Sequence, residues 1–428
     1  KKVFDKAIYY YKRSALIDTS YCTAYSKIGG IFLYSLSDYV NAEDYYNKYL
    51  KFRPNSATTQ VNIGNIYYYQ DKYTDAMNYY HKAVTLDTAY VQPLLYTAQC
   101  LTEMKKYADA ADYCYKTLKI IPHYGEAYVE LARIQKVQKE YNKAVQLYLK
   151  AAEIDTSAYR AYYKIADMYL YDMASYDTAI IFYNRYIQKK SNNSDAYLGL
   201  GTSYYYKQQY DEALENYLKS LQVDSTYEGT WFNIGNTYYK KKEYQNAEKY
   251  FLKTLEMDSC YGLACSGLGD LYTDWQKYDQ AIPYYLKAMQ CDKKYEYCYY
   301  SIGVIYGNYL KEYDKAIEYY NKYITYAPDR YLGYQGLGYV YLRQDKNKKA
   351  EQYFLTSIQK EPEEPWVYYN MACFYSLISD PANALNYLEK ALQKGFDNFD
   401  HISTDTDMDN IRSLQGFKTL IEKYNKEK

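Results

Sequence analysis

Histidine is nearly missing from this chain, with His81, His123 and His401 the only three in 428 residues. No Cys-x-x-Cys pair occurs among the eight cysteines, so the His/Cys spacing of a zinc site is not there. No nucleophile–base arrangement stands out, which leaves an enzymatic reading without material. Neither sign of charge is in excess, at 52 basic against 52 acidic side chains. A balanced chain lacks the electrostatic footprint of a nucleic-acid binder. No apolar run approaches the length of a membrane span. With 24% charged and 48% apolar residues, the composition is that of a folded chain.

What is abundant is tyrosine: 70 residues, against 11 Phe and 3 Trp. The cause is repetition, which is best sought before any other feature. The string YDKAIEYYNKYI (313–324) returns in looser form as YDEALENYLKSL (210–221), YQNAEKYFLKTL (244–255) and YNKAVQLYLKAA (141–152). Its alanine falls at Ala7, Ala42, Ala76, Ala110, Ala144 and Ala179, then at Ala213, Ala247, Ala281, Ala316, Ala350 and Ala384. The steps are 34 residues, except for 35 on reaching Ala42, Ala179 and Ala316.

Twelve or thirteen residues before each anchor but the first stands a second small residue. It is Gly29, Gly64, Ala98, Ala132, Ala166 and Gly201, then Gly235, Gly269, Gly303, Gly338 and Ala372. A large apolar residue usually precedes it and an aromatic follows three later, as in Ile63-Gly64 with Tyr67. Spacings of three and four define one helical stripe, and two stripes per repeat make an antiparallel helix pair. The two small positions are expected to face each other and let the backbones approach. Linkers such as Asp87-Thr88, Asp155-Thr156, Asp224-Ser225 and Asp258-Ser259 are expected to cap the next helix. One pair cannot bury both its faces, so copies must stack.

Tyr197-Leu198-Gly199-Leu200-Gly201 with Tyr204, followed by Ala213 and Tyr217, resembles the tetratricopeptide repeat (TPR) signature, and so does Trp231-Phe232-Asn233-Ile234-Gly235 with Tyr238. The resemblance covers about residues 1–394. It implies an all-α, right-handed superhelical solenoid of antiparallel helix pairs, with about eleven full repeats and an N-terminal half repeat. Residues 395–428 are expected to form a C-terminal capping segment, with Leu414, Phe417, Leu420 and Ile421 covering the last repeat. The chain opens at Lys1 inside a repeat, so an upstream helix is expected in the parent protein. In the 35-residue repeats the extra residue is expected in the turn between helices. There Tyr49, Tyr186 and Tyr323 replace the family's usual small residue.

Three Gly-Leu-Gly strings (199–201, 267–269 and 336–338) sit inside first helices, where a nucleotide loop cannot form. Asp405, Asp407 and Asp409 alternate like part of a calcium loop, but its Gly and terminal Glu are missing. The cysteines read as small apolar fillers. Free thiols lean toward a reducing compartment, with a periplasmic protein that has lost its export signal as the alternative.

The resemblance implies that function lies on the concave face of the first helices, where TPR proteins hold peptides. Candidate peptide-binding residues there are Asn62, Asn65, Tyr68, Tyr163, Tyr205, Asn233, Asn236, Tyr239, Tyr300 and Tyr339, with Tyr369 on the same face. Asn at i and i+3 offers two amides to one side, each able to pair with peptide backbone. Tyr adds contact area and a hydroxyl. The expected function is a protein-interaction scaffold that takes a peptide or partner segment in this groove, with no catalytic residue, metal or cofactor. The alternatives are the recruiting arm of an enzyme whose catalytic domain lies elsewhere, and an architectural rod.

Overall fold

The computed structural model describes residues 2–17, 21–155 and 159–425. Contacts divide the chain into two compact units, Lys1–Val223 and Asp224–Lys428. In the first, α1 (Lys2–Ile17) packs on α2 (Thr23–Tyr34), which pairs with α3 (Tyr39–Phe52). The pairs α4 (Ala57–Tyr69) with α5 (Tyr73–Leu86) and α6 (Gln92–Glu103) with α7 (Tyr107–Ile120) follow. Then come α8 (Gly125–Val137) with α9 (Tyr141–Ile154), α10 (Arg160–Asp167) with α11 (Tyr176–Lys189), and α12 (Ser194–Tyr206) with α13 (Tyr210–Val223).

The second unit repeats the scheme. Its pairs are α14 (Glu228–Lys240) with α15 (Tyr244–Met257), α16 (Gly262–Asp274) with α17 (Tyr278–Cys291), and α18 (Tyr297–Val304) with α19 (Tyr313–Tyr326). They continue with α20 (Tyr331–Arg343) and α21 (Asn347–Lys360), then α22 (Pro365–Leu377) and α23 (Pro381–Gln393). Short helices α24 (Phe399–Thr404) and α25 (Asp409–Arg412) precede α26 (Gln415–Asn425). Within each unit, every pair packs on the next. The all-α solenoid of antiparallel pairs is therefore the observed fold.

The core is built on the two small positions, and a ring closes over their contact: a Cβ on Gly201 would lie 3.1 Å from the Ala213 carbonyl and 2.6 Å from the Tyr217 ring. Every anchor alanine from Ala42 to Ala384 is fully buried. A Cβ placed on Gly64 would lie 2.4 Å from the Tyr80 ring, and one on Gly269 would lie 2.5 Å from Tyr285. Tyr80 and Tyr285 stand four residues after their anchors, one helical turn on, so the ring drops over the small residue of the facing helix. To the expected approach of the small residues the structure adds this ring. The first glycine of two Gly-Leu-Gly strings has a matching role. Cβ atoms on Gly199 and Gly336 would lie 2.3 Å from Tyr183 and 2.5 Å from Tyr320, rings of the preceding repeat. One first helix is thus pressed between two rings, and glycine on both sides is the steric condition for it.

A second ring pair repeats on the other flank. Tyr67–Tyr79, Tyr169–Phe182, Tyr238–Tyr250, Tyr306–Tyr319 and Tyr375–Tyr387 stack nearly parallel, with centroids 5.3–5.9 Å apart. Two of these rings use the hydroxyl that phenylalanine lacks: Tyr67 donates to Glu43 at 2.8 Å and Tyr375 to Glu351 at 2.6 Å, each on the preceding second helix. The central rings do likewise within a repeat. Tyr80, Tyr183 and Tyr285 donate to Asn65, Asp167 and Asp270 at 2.9, 2.7 and 2.6 Å.

The turn inside each repeat places one residue in the left-handed region, and none of these eleven is glycine, from Ser37 (φ 52°) to Ser379 (φ 61°). Asp71 N–H and Lys72 N–H return to the Tyr68 and Tyr67 carbonyls, the pattern that closes a helix C-terminus. In two of the 35-residue repeats the extra residue is absorbed earlier than expected. The last turn of the first helix widens into a π turn at Met168–Asp172 and Ile305–Tyr309. In the remaining one, Leu36 N–H likewise reaches back five residues to the Ile31 carbonyl. A π turn accepts one residue without breaking the hydrogen-bond ladder, which a tight turn cannot do.

Two linker expectations also change. Asp87, Asp224 and Asp258 accept backbone N–H bonds two residues on, from Ala89, Thr226 and Cys260. They form side-chain turns at the end of the preceding helix and do not cap the next one. Thr156 lies outside the described residues. Cys260 and Cys291 form a disulfide, with Cα atoms 5.3 Å apart, so they are not apolar fillers. The other six cysteines are buried thiols.

Candidate functional site

All ten candidate residues fall on first helices and are half-buried. Several use their polar atoms within the chain. Tyr34 O–H donates to Asn62 Oδ1 at 3.0 Å and accepts from Asn65 Nδ2 at 3.1 Å. Asn65 Oδ1 accepts a hydrogen bond from Tyr80 O–H. The i, i+3 amides therefore do converge on one side, and what they hold is a hydroxyl from the preceding first helix. Tyr239 donates to Asp274 at 2.6 Å, and Tyr339 donates to Asn370 at 3.1 Å. Tyr163 packs edge-on against Tyr183, and Tyr205 lies tilted against Tyr210. Tyr68 meets Tyr73 edge-on, and burial pushes its hydroxyl up to about 12. Asn233 and Asn236 share one face of α14. Tyr369 is not on the open face: it is buried, stacks on Phe396 and donates to Asp405 at 2.8 Å. The chain after α23 covers it.

In the first unit the first helices α6 and α8 carry a charge cluster without a repeat signature. Glu130 on α8 is 3% exposed and accepts from Arg133 and from Thr102 Oγ1, the latter at 2.7 Å. Arg133 also reaches Glu103 at 2.6 Å. Both carboxylates hold the guanidinium charged, against the burial that opposes it.

In the second unit two candidates come together. Tyr300 and Tyr339 line one cavity of about 640 Å³ across α18, α20 and α22. Asn308, Lys311, Gln335, Arg343, Trp366 and Asn370 complete much of its wall, with Asp407 entering from the chain between α24 and α25. Burial raises the Tyr300 and Tyr339 hydroxyls, so both stay protonated donors. Asn370 could have been found from the sequence. It stands two residues before the small position, as Asn62 and Asn233 do. Gln335 could not, because most other repeats put an aromatic or aliphatic residue at its register.

No group of acidic, His or Cys side chains among the described residues is arranged to hold a metal ion. Asp405 accepts from Tyr369 and from Asp407 N–H. Burial and the Asp405 charge push the Cys373 thiol well up, which disfavours the thiolate. No helix among the described residues is long and apolar enough to cross a membrane.

Family models for the TPR repeat match residues 201–242, and models for the tetratricopeptide repeat match 56–86, 101–166, 230–259, 264–295, 297–330 and 367–393. Together they cover more than half of the chain. It belongs to the tetratricopeptide repeat family. A curated relative of this TPR chain is a chloroplastic protein of Arabidopsis thaliana, 36% identical over 64 residues. That match spans 15% of this chain and 19% of the relative's length. Among solved structures, MamA is 25% identical, covering 38% of this chain and 95% of that one, with a TM-score of 0.35. Yeast Tom70 is 15% identical over 95% and 96% of the two chains, with a TM-score of 0.43. YrrB, described as a TPR protein with an unusual peptide-binding site, is 19% identical over 43% and 95%, with a TM-score of 0.37.

Proposed function

We propose that this TPR protein is a non-catalytic interaction scaffold that takes an extended peptide along the open face of its first helices. The cavity across α18, α20 and α22 is the observation that carries this reading. It joins aromatic walls to carboxamides on three successive first helices, which suits a backbone with alternating donors and acceptors. In this reading residues 395–428 are a cap that closes the last repeat and one end of the groove. Phe417 is buried against the α22–α23 pair, with Leu414, Leu420 and Ile421 packed beside it. In the first unit the first helices are more occupied by their own bonds, since Asn62 and Asn65 hold Tyr34.

Panning a library of random linear peptides on the full chain tests the reading. Recovered peptides should compete with one another and bind about tenfold more weakly to Asn370→Ala or Asn308→Ala. Binding that ignores these changes but is lost on Lys253→Ala, on the second-helix side, would move the partner to another face.

A further inference from the structure

Three buried side-chain donors in the second unit have no hydrogen-bond partner among the described residues, Ser376 Oγ, Arg412 Nε and Gln335 Nε2, and of these residues Gln335 alone lines the cavity. Gln335 is 6% exposed, and its Nε2 makes no hydrogen bond, although the residue lines the cavity. Buried polar groups are normally paired, and an orphan is most simply satisfied by something that enters from the cavity. Two cations flank the same space. Lys311 and Arg343 form no ion pair among the described residues, in a chain whose exposed lysines often do. Asn308 beside them and the Asn370 amide nitrogen are further donors. The opposing acid is Asp407, whose ionisation burial and the Asp405 charge resist and the Arg343 charge favours. With two cations against one acid, the wall offers donors and net positive charge.

We propose that this cavity is a subsite for a carboxylate side chain, Asp or Glu, within an extended peptide, with Gln335 and Arg343 as its direct partners. The proposal rests on the groove reading above. A side chain fits better than a chain end because Lys311, Gln335 and Arg343 lie just after α18 and on α20, while the cavity runs on to Trp366 and Asn370 on α22. Three first helices at roughly 8–10 Å spacing accommodate about six extended residues. The peptide thus continues past the carboxylate.

The test uses the full chain, immobilised, and three pools of N-acetylated nonapeptides of mixed sequence. One pool has a central Glu and an amidated end, one a central Gln and an amidated end, and one a central Gln and a free terminal carboxylate. The Glu pool should be retained about tenfold more than the amidated Gln pool. That preference should vanish in Gln335→Leu and in the exposed-site variants Arg343→Gln and Lys311→Gln, whose folding is not at risk. Equal retention of the Glu and Gln pools overturns the subsite and leaves peptide binding standing. So does retention confined to the free-terminus pool. No retention of any pool overturns both the subsite and the groove reading.

Discussion

Tyr285 O–H donates to Asp270 Oδ1 at 2.6 Å across the helix pair α16–α17, and the same bond recurs as Tyr183 to Asp167, and as Tyr80 to Asn65. A core ring is thereby tied to a polar residue of the facing first helix. Replacing Tyr285 by Phe keeps the ring on Gly269 but leaves the carboxyl without its donor. Thermal or urea unfolding should show a loss of about 1–3 kcal/mol.

Burial raises the Asp270 and Asp167 carboxyls above the usual range, and the tyrosine bond only partly offsets it. A raised folded-state value means the folded protein holds the proton more tightly than the unfolded chain does. These two groups therefore add stability as pH falls through their folded values, and that contribution is lost above them. Asp270→Asn, which copies Asn65, should raise the melting temperature at pH 7, with the gain shrinking as the buffer is acidified. A gain that grows on acidification would contradict the assignment.

Arg133 is the counter-charge of a buried carboxylate. Arg133→Leu strands Glu130 and should cost about 3–5 kcal/mol, whereas changing Arg133 and Glu130 together to apolar residues should cost much less. Unfolding of the single and double variants by urea separates the two.

The eleven left-handed turn residues carry a strain that glycine would remove. Lys139→Gly (φ 62°) and Gln276→Gly (φ 60°) should each raise stability by about 1 kcal/mol, measured by denaturant midpoint. The opposite holds at Gly199, where Val would collide with the Tyr183 ring and cost about 1–3 kcal/mol.

Alkylating the denatured protein before and after reduction checks the disulfide. Six thiols should react at first, and Cys260 and Cys291 only after reduction. Eight reactive thiols at the start would show the pair to be reduced in the purified chain.

The helix pairs and their order were legible because period and side-chain size act locally: apolar residues three and four apart choose a face, and a small residue marks a close approach. Which group approaches was not. Ala76 and Gly64 repeat in step, but it is Tyr80, one turn on, that fills the gap, and only the crossing of two helices decides that. Asn62 and Asn65 were read correctly as neighbours on one side of their helix. The spacing along one helix could not reveal that Tyr34, 28 residues before Asn62, occupies their amides. The same limit hid the Cys260–Cys291 bond, whose partners stand 31 residues apart, and the orphan amide of Gln335. Sequence by itself determined the repeat, the fold and the abundance of tyrosine, since those follow from one local pattern copied many times. The tertiary structure decided which polar groups are spent and which remain, because hydrogen bonds between repeats depend on distances that no single helix sets.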